Sequence, residues 1–490
     1  MAVKKLLLLL MAAFCLAQAA DLDRNISAKD AKSPQNLAVR LDSLFNLPAL
    51  RHSFVGAAVF SPSKNELIYR YNELKAFLPA STMKLFTTAA ALQILGHDFR
   101  FQTRIFMRGR TGAGVFTGDI ILKGDGDPTL TWYEGMSDSA SFNRFAAMLK
   151  RRGVKEIRGR LIGDDSVFDD QILGWGWGWE NELQAYSAPI GGLTINRNCV
   201  GVIVTPGNRA GELCTVRLSP GIRNGSIENR CTTVEDDKAA GLRVERQRGS
   251  DRILVSGSLR ASYPAEQRTL PVGNPTLYAL QVLRRALESN GIQVNSELVD
   301  LDDLPGYAYP LYAPVFVHVS EPLRDIVRDI NKNSNNLAAE ALFKAVGFAV
   351  FGIGSAESGA SAIEKWAKQN NIPMEGNSIV DGSGLSRKSA VTPISFIKLL
   401  HVMQSDSAFY ASLPIAGRDG TLAHRMRDTL CRGRIRAKTG TLEGVMALSG
   451  YAEAVSGDTL IFCITVNQAP AARGSVYDIM NRFCLNIIKQ

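Results

Sequence analysis

The sequence predicts an α+β protein: one antiparallel sheet flanked by helices and built from both ends of the chain, with a large, mostly β region inserted between them. Three observations carry this reading. Apolar, β-rich runs stand near the N-terminus and again after residue 430, helical patterning borders both sets, and residues 99–316 change texture to short strands separated by Gly, Pro and Asp turns. At 490 residues the chain exceeds what one core needs, so two or three bodies are expected. Hydrophobic residues at 46% and charged residues at 21% fit a soluble globular fold and exclude a disordered one.

The elements follow in order. Met1 to Lys5, the apolar run Leu6 to Leu16 and then Ala17-Gln18-Ala19 have the charged, apolar and small-residue order of a secretory signal peptide, so residues 1–19 are expected to be removed after Ala19. The apolar run is too short for a membrane span, and the bulky Phe14 before Cys15 argues against a lipid anchor. Ser53 to Pro62 and Glu66 to Asn72 read as a hairpin around Ser63-Lys64-Asn65. Ser81 to Leu95, apolar nearly all round and ending at Gly96, reads as a buried helix with Ser81 at its N-terminus. Strands in the insertion are expected at Phe101 to Met107, Gly118 to Lys123, Gly159 to Asp164 and Cys199 to Thr205. Helices are expected at Pro322 to Val346, Ala360 to Gln369 and Ile394 to Gln404, then strands at Arg434 to Leu442, Val445 to Glu453 and Thr459 to Asn467, and a last helix from Ser475 to Ile488. The expected division is therefore 20–98 with 317–490 as one discontinuous domain and 99–316 as an inserted region of two subdomains, the inner one near 198–256.

The net charge of +9 is scattered rather than striped with aromatics, which disfavours nucleic acid and suits anionic envelope polymers. Six cysteines remain without Cys15; Cys199, Cys214 and Cys231 lie close enough in sequence for one bridge among them, whereas Cys463 sits in an apolar strand and reads as a buried thiol. No C-x-x-C pair suggests zinc, and no metal or cofactor is expected.

Three short motifs carry chemistry. Ser81-Thr82-Met83-Lys84 sets a hydroxyl and an amine three residues apart on one helix face, where a desolvated lysine can accept the serine proton. Ser334-Asn335-Asn336 adds a hydroxyl and an amide in a polar run, Asn331 to Asn336, between apolar helices. Lys438-Thr439-Gly440-Thr441 adds a cation and hydroxyls on a strand, with Gly440 leaving room for a ligand against the backbone and Arg434, Arg436 and Lys438 sharing one face suited to a carboxylate. Singly these are a cap, a turn and a strand end; S-x-x-K alone arises by chance about once per several hundred residues.

Taken in order, S-x-x-K, S-x-N and K-T-G resemble the signature of β-lactamases and penicillin-binding proteins. The spacing of 253 residues from Ser81 to Ser334 resembles that of the class C low-molecular-mass penicillin-binding proteins, the D-alanyl-D-alanine carboxypeptidases and endopeptidases, and Leu122 to Leu130, Asp381 to Arg387 and Leu413 to Leu422 resemble segments of the same family. The resemblance spans essentially the whole mature chain and implies a penicillin-binding, β-lactamase-like transpeptidase fold. It implies peptidoglycan stem peptides as substrate, β-lactam antibiotics as covalent inhibitors, no cofactor, and an exported, periplasmic or extracytoplasmic enzyme with no membrane anchor evident, peripheral membrane association being left open. It further implies Ser81 as nucleophile, Lys84 as base, and Ser334 as the relay to the leaving amine. Asn336 would hold the peptide carbonyl, Lys438 and Thr439 the terminal carboxylate, and the backbone of Ser81 and Thr441 the oxyanion. Asp169 and Arg387 are the candidates for reading the stem-peptide diamino acid, with Asp170 as the alternative to Asp169.

Gly174 to Trp179 reads as a packing feature before it reads as a glycan platform, and Asp125-Gly126-Asp127 as a turn before a calcium loop. A Ser-His-Asp hydrolase is disfavoured because no G-x-S-x-G elbow occurs. A β-lactamase shares the motifs but not the long insertion, and a noncatalytic penicillin sensor or scaffold is the alternative of another class.

Overall fold

The architecture is taken from a computed structural model that describes residues 34–490 except 138–139, 223–225, 239–240 and 311–312. The leader and Cys15 lie outside the described residues.

The sheet predicted from both chain ends exists, with strand order Ile435–Leu442, Val445–Glu453, Thr459–Asn467, Phe54–Ser61 and Glu66–Tyr71, every pair antiparallel. The ends meet where Phe54 faces Asn467 and Phe60 faces Ile461. Thr459–Asn467 is buried at all but its first residue, which explains its unbroken apolar run: it is covered on both faces, so nothing selects polar alternation. Ile461 and Cys463 point into one core, with Phe86, Leu342 and Phe396 from the helices Lys84–Ile94, Asn336–Phe351 and Pro393–Met403. Phe462 and Ile464 point into the other, with Leu41 and Phe483 from Pro34–Phe45 and Arg473–Ile488.

The region between is less purely β than its sequence texture suggests. A mixed sheet runs Gln293–Asp300, Glu156–Asp164, Val115–Gly124, Gln102–Gly112, Phe316–Val319, its first three strands mutually parallel. Parallel neighbours need a crossover, and the helix Ser141–Arg151 supplies it between Val115–Gly124 and Glu156–Asp164. Its inward residues Phe142, Phe145, Ala146 and Leu149 keep helical spacing and pack with Leu280 and Leu283 of a second helix, Pro275–Ser289, capped by the Asn274 side chain accepting from Leu277 N at 2.9 Å. Two smaller sheets follow the chain from Cys199: Glu266–Pro271, Cys199–Thr205 and Thr215–Ser219, then Gly241–Arg246, Ile253–Arg260 and Ile227–Asn229, with Thr232–Val234 also pairing with Ile253–Arg260.

All six described cysteines are buried free thiols, so the expected bridge among Cys199, Cys214 and Cys231 is not formed; Cys231 instead donates to Cys214 Sγ at 3.5 Å. Among the described residues no single helix is long and apolar enough to cross a membrane.

Candidate active site

The helix expected from Ser81 begins as one 3-10 turn, Ala80–Met83, and becomes α-helical only at Lys84. Three residues per turn bring positions i and i+3 into line, which sets the Lys84 side chain beneath Ser81. The preceding Ala80 has φ +47°, a left-handed conformation that costs an L-residue roughly 1–2 kcal/mol. Two glycines make room for that kink. A Cβ on Gly384 would lie 1.9 Å from Ala80 O, and one on Gly440 would lie 2.8 Å from Pro79 O. Gly440 therefore seats the strand against the Ala80–Met83 turn, rather than opening its backbone to a ligand.

Lys84 is fully buried and its amine donates to Ser81 Oγ at 2.9 Å, Asn336 Oδ1 at 2.6 Å and the Ser383 carbonyl at 2.6 Å. Burial lowers its pKa from 10.5 to about 7, against the opposing pull of Asp381 and Glu340. Those two buried carboxylates were not singled out by sequence. Glu340 accepts from Gly382 N at 3.1 Å and Ser383 N at 2.8 Å, and Asp381 accepts from Ser386 N at 2.8 Å, Ser389 Oγ at 2.9 Å and Trp177 Nε1 at 3.1 Å. Together they fix the loop whose Ser383 carbonyl holds the lysine. Glu340 is pushed up to about 7, first by burial and then by Asp381. The usable signal was Asp381 to Arg387 as a polar, Gly-Ser-rich segment; for Glu340, inside an apolar helix, there was only a lone acid amid apolar residues.

Lys438, also fully buried, donates to Ser334 Oγ at 2.9 Å. Burial, and then Lys84, hold its pKa well below the ordinary lysine value. Ser334 reaches it because the chain breaks between Leu323–Asn333 and Asn336–Phe351 in just two residues, Ser334 at φ +57° and Asn335, whose side chain caps the next helix by accepting from Ala338 N at 3.2 Å. The polar run is otherwise helical. The Asn331 amide nitrogen donates to Ser412 Oγ at 2.8 Å and Lys332 pairs with Asp419 at 2.7 Å. Asn336 divides its amide, its oxygen on Lys84 and its nitrogen on the Tyr186 carbonyl at 2.7 Å.

The strand Ile435–Leu442 is an edge strand. Its outer side pairs with the 414–416 segment only at its start, where Ala437 N donates to Pro414 O at 3.0 Å. Alternation then directs the N–H groups of Thr439 and Thr441 outward on the same side, beside Ser81. The Thr439 hydroxyl donates to Thr421 at 2.7 Å and that of Thr441 pairs with Tyr477 at 2.7 Å. The expected positive row dissolves: Arg434 pairs with Glu453 at 3.4 Å and Arg436 lies over the Tyr410 ring, leaving Lys438 alone at the site.

Ser81, Ser334, Asn336, Thr441 and Arg387 line one cavity of about 460 Å³, together with Glu180, Asn181, Tyr186 and Arg473. Arg387 is anchored there by donating to Glu443 O at 3.1 Å. Asp169 is not in it. Its carboxylate pairs with the buried Lys344 amine and its backbone with Gly354, because the segment after Asp164 turns away along the Asn336–Phe351 helix. Asp170 interacts with Asp302 and does not line the cavity either. The acids lining the cavity are Glu180, on the short turn Trp179–Asn181, and Glu443 just after the Lys438 strand, and no spacing rule pointed to either. Of the Gly-Trp repeat, Trp177 packs as expected, while Trp175 and Trp179 are exposed and each is covered by a cation, Lys388 and Arg248, both 4.4 Å from the ring centre.

The geometry has known counterparts. Residues 37–485 match the model of the D-Ala-D-Ala carboxypeptidase 3 (S13) family. The chain is 35% identical over 444 residues to a D-alanyl-D-alanine carboxypeptidase of Actinomadura sp. strain R39, covering 87% of this chain and 80% of that protein. Penicillin-binding protein 4 from Haemophilus influenzae superposes with a TM-score of 0.78 at 26% identity over 92% of this chain and 99% of that one. The same protein complexed with a β-lactam gives 0.74 at 25% identity and the same coverage. A match of this extent, on a chain where Ser81, Ser334 and Asn336 line one cavity and Lys84 and Lys438 donate to the two serines, places this protein in the D-Ala-D-Ala carboxypeptidase 3 (S13) family of serine peptidases.

Proposed function

We propose that Ser81 is the nucleophile of a serine-type D-Ala-D-Ala carboxypeptidase acting on peptidoglycan, with Lys84 as its base. The observation that carries this is the Lys84 amine, desolvated and 2.9 Å from Ser81 Oγ. Ser81 Oγ attacks the penultimate D-Ala carbonyl as its proton passes to neutral Lys84. The C–N bond breaks, and Ser334, between the site and Lys438, returns a proton to the departing amine. Water then hydrolyses the ester with Lys84 again as base. The same acyl-enzyme forms when the departing amine belongs to a cross-link, which gives DD-endopeptidase cleavage.

The outward N–H of Thr441, with that of Ser81, supplies the oxyanion hole, and the open edge beyond Ala437 accepts the substrate as an added strand. Asn336 keeps one amide hydrogen for the substrate's peptide carbonyl. Lys438, Thr439 and the adjacent Thr421 receive the terminal carboxylate. The stem-peptide diamino acid lies in the remaining cavity, its ammonium toward Glu180 and its carboxylate toward Arg387. The enzyme works outside the cytoplasm, its leader removed after Ala19.

A fluorescent penicillin tests the core of this reading. The wild type is labelled covalently and releases D-Ala from a stem pentapeptide, and Ser81→Ala does neither; labelling that survives the substitution would remove Ser81 from its role.

A further inference from the structure

Two arginines of the inserted small sheets converge on the Trp179–Glu182 segment from one strand end. Arg246, at the end of Gly241–Arg246, is buried, and its guanidinium lies 3.8 Å from Glu182 Oε1. Arg248, two residues on, stands 3.6 Å from Glu182 Oε2, donates to the Trp179 carbonyl, at 2.6 Å, and stacks over the Trp179 ring. The segment so gripped is one side of the substrate cavity: Glu180 and Asn181 line it. Its far end is tied to the chemistry, since Asn181 Oδ1 accepts from Tyr186 Oη at 2.7 Å and the Tyr186 carbonyl accepts from Asn336.

A three-residue 3-10 turn bearing an exposed tryptophan has little core of its own, so its position is set by what holds its ends. One end has Asn336. At the other, a planar guanidinium grips a carboxylate, a carbonyl and a ring at once, a geometry that a point charge could not supply. We propose that Arg248, backed by Arg246, is a specificity-positioning residue: from the inserted sheet it fixes the Trp179–Glu182 turn so that Glu180 and Asn181 face the diamino-acid cavity. The insertion thereby contributes to choosing the substrate without touching the reacting atoms. This rests on the assignment of that cavity to the diamino acid.

The test uses the full-length enzyme and two peptides ending in D-Ala-D-Ala, one whose diamino acid carries a free amine and carboxylate and one with both blocked. The readout is the ratio of their kcat/KM values. Arg248→Ala, and independently Glu182→Gln, are expected to lower this ratio about tenfold, as loss of a positioned remote contact does, with the change in KM and with kcat/KM for the blocked peptide within about twofold. Glu180→Gln is run beside them. If Glu180→Gln lowers the ratio and the Arg248 and Glu182 variants do not, the positioning role is overturned while the cavity assignment stands. Should none of the three move it, the assignment itself fails and the inference with it. An equal fall of kcat for both peptides in the Arg248 and Glu182 variants means general damage to the site and also overturns the proposal.

Discussion

Replacing Lys84 by alanine removes the group on which the proposed chemistry turns, and the structure sets the size of the loss. An ordinary lysine, with a pKa of 10.5, is neutral about once in 3,000 molecules at pH 7; lowered to about 7 by burial, Lys84 is neutral about half the time. Desolvation thus supplies roughly a thousandfold more free base, equivalent to ~5 kcal/mol between the two protonation states. The sign follows: the reactive form is the deprotonated one, so acylation is slow below the folded-state pKa and rises to a plateau above it. The assay is the second-order rate of acylation by a fluorescent penicillin from pH 5.5 to 9, read by gel or by stopped flow. The wild type should show an acid limb centred near 7, and Lys84→Ala should lose about 10²-fold or more at the plateau, the usual contribution of a general base. A Lys84→Ala enzyme within about threefold of wild type, or a flat wild-type profile, would refute the assignment.

Two further outcomes probe the surroundings of that lysine. Glu340 raises the Lys84 pKa, so Glu340→Gln should move the acid limb of the same profile to lower pH; a limb that moves up, or stays, contradicts the electrostatic role given to Glu340. Gly440→Ala puts a methyl 2.8 Å from Pro79 O, so it should destabilise the fold by about 1–3 kcal/mol in urea unfolding and slow penicillin acylation as the nucleophile turn shifts; unchanged stability and acylation would show that this close approach is not required.

The core sheet was legible because its strands are bordered by turns and read as near-continuous apolar runs, the pattern of strands covered on both faces. The helices Ser141–Arg151 and Pro275–Ser289 were passed over although Phe142, Phe145, Ala146 and Leu149 keep helical spacing, because each lies among strands and their Gly and Asp turns. The S-x-x-K, S-x-N and K-T-G motifs were legible for a different reason. Each is locally spaced and so readable without the distant chain, but only the three together in order stand out from a cap, a turn and a strand end. Arg387 and Asp169 were both named from the family resemblance; Arg387 lines the cavity, whereas Asp169 points to Lys344.

What the sequence by itself determined is which short segments it nominates for chemistry and in what order: Ser81 with Lys84, Ser334 with Asn336, and the Lys438 strand. Tertiary structure alone decided their protonation and their neighbours. No local pattern could show that Lys84 and Lys438 are both fully buried, that Glu340 and Asp381 act on Lys84, or that Arg434 and Arg436 are spent on Glu453 and Tyr410. Nor could it show that Glu180 rather than Asp169 meets the cavity. Motif spacing is a property of the backbone over a few residues, while desolvation and charge pairing depend on which surfaces meet across hundreds of residues, as Lys84 and Ser383 do.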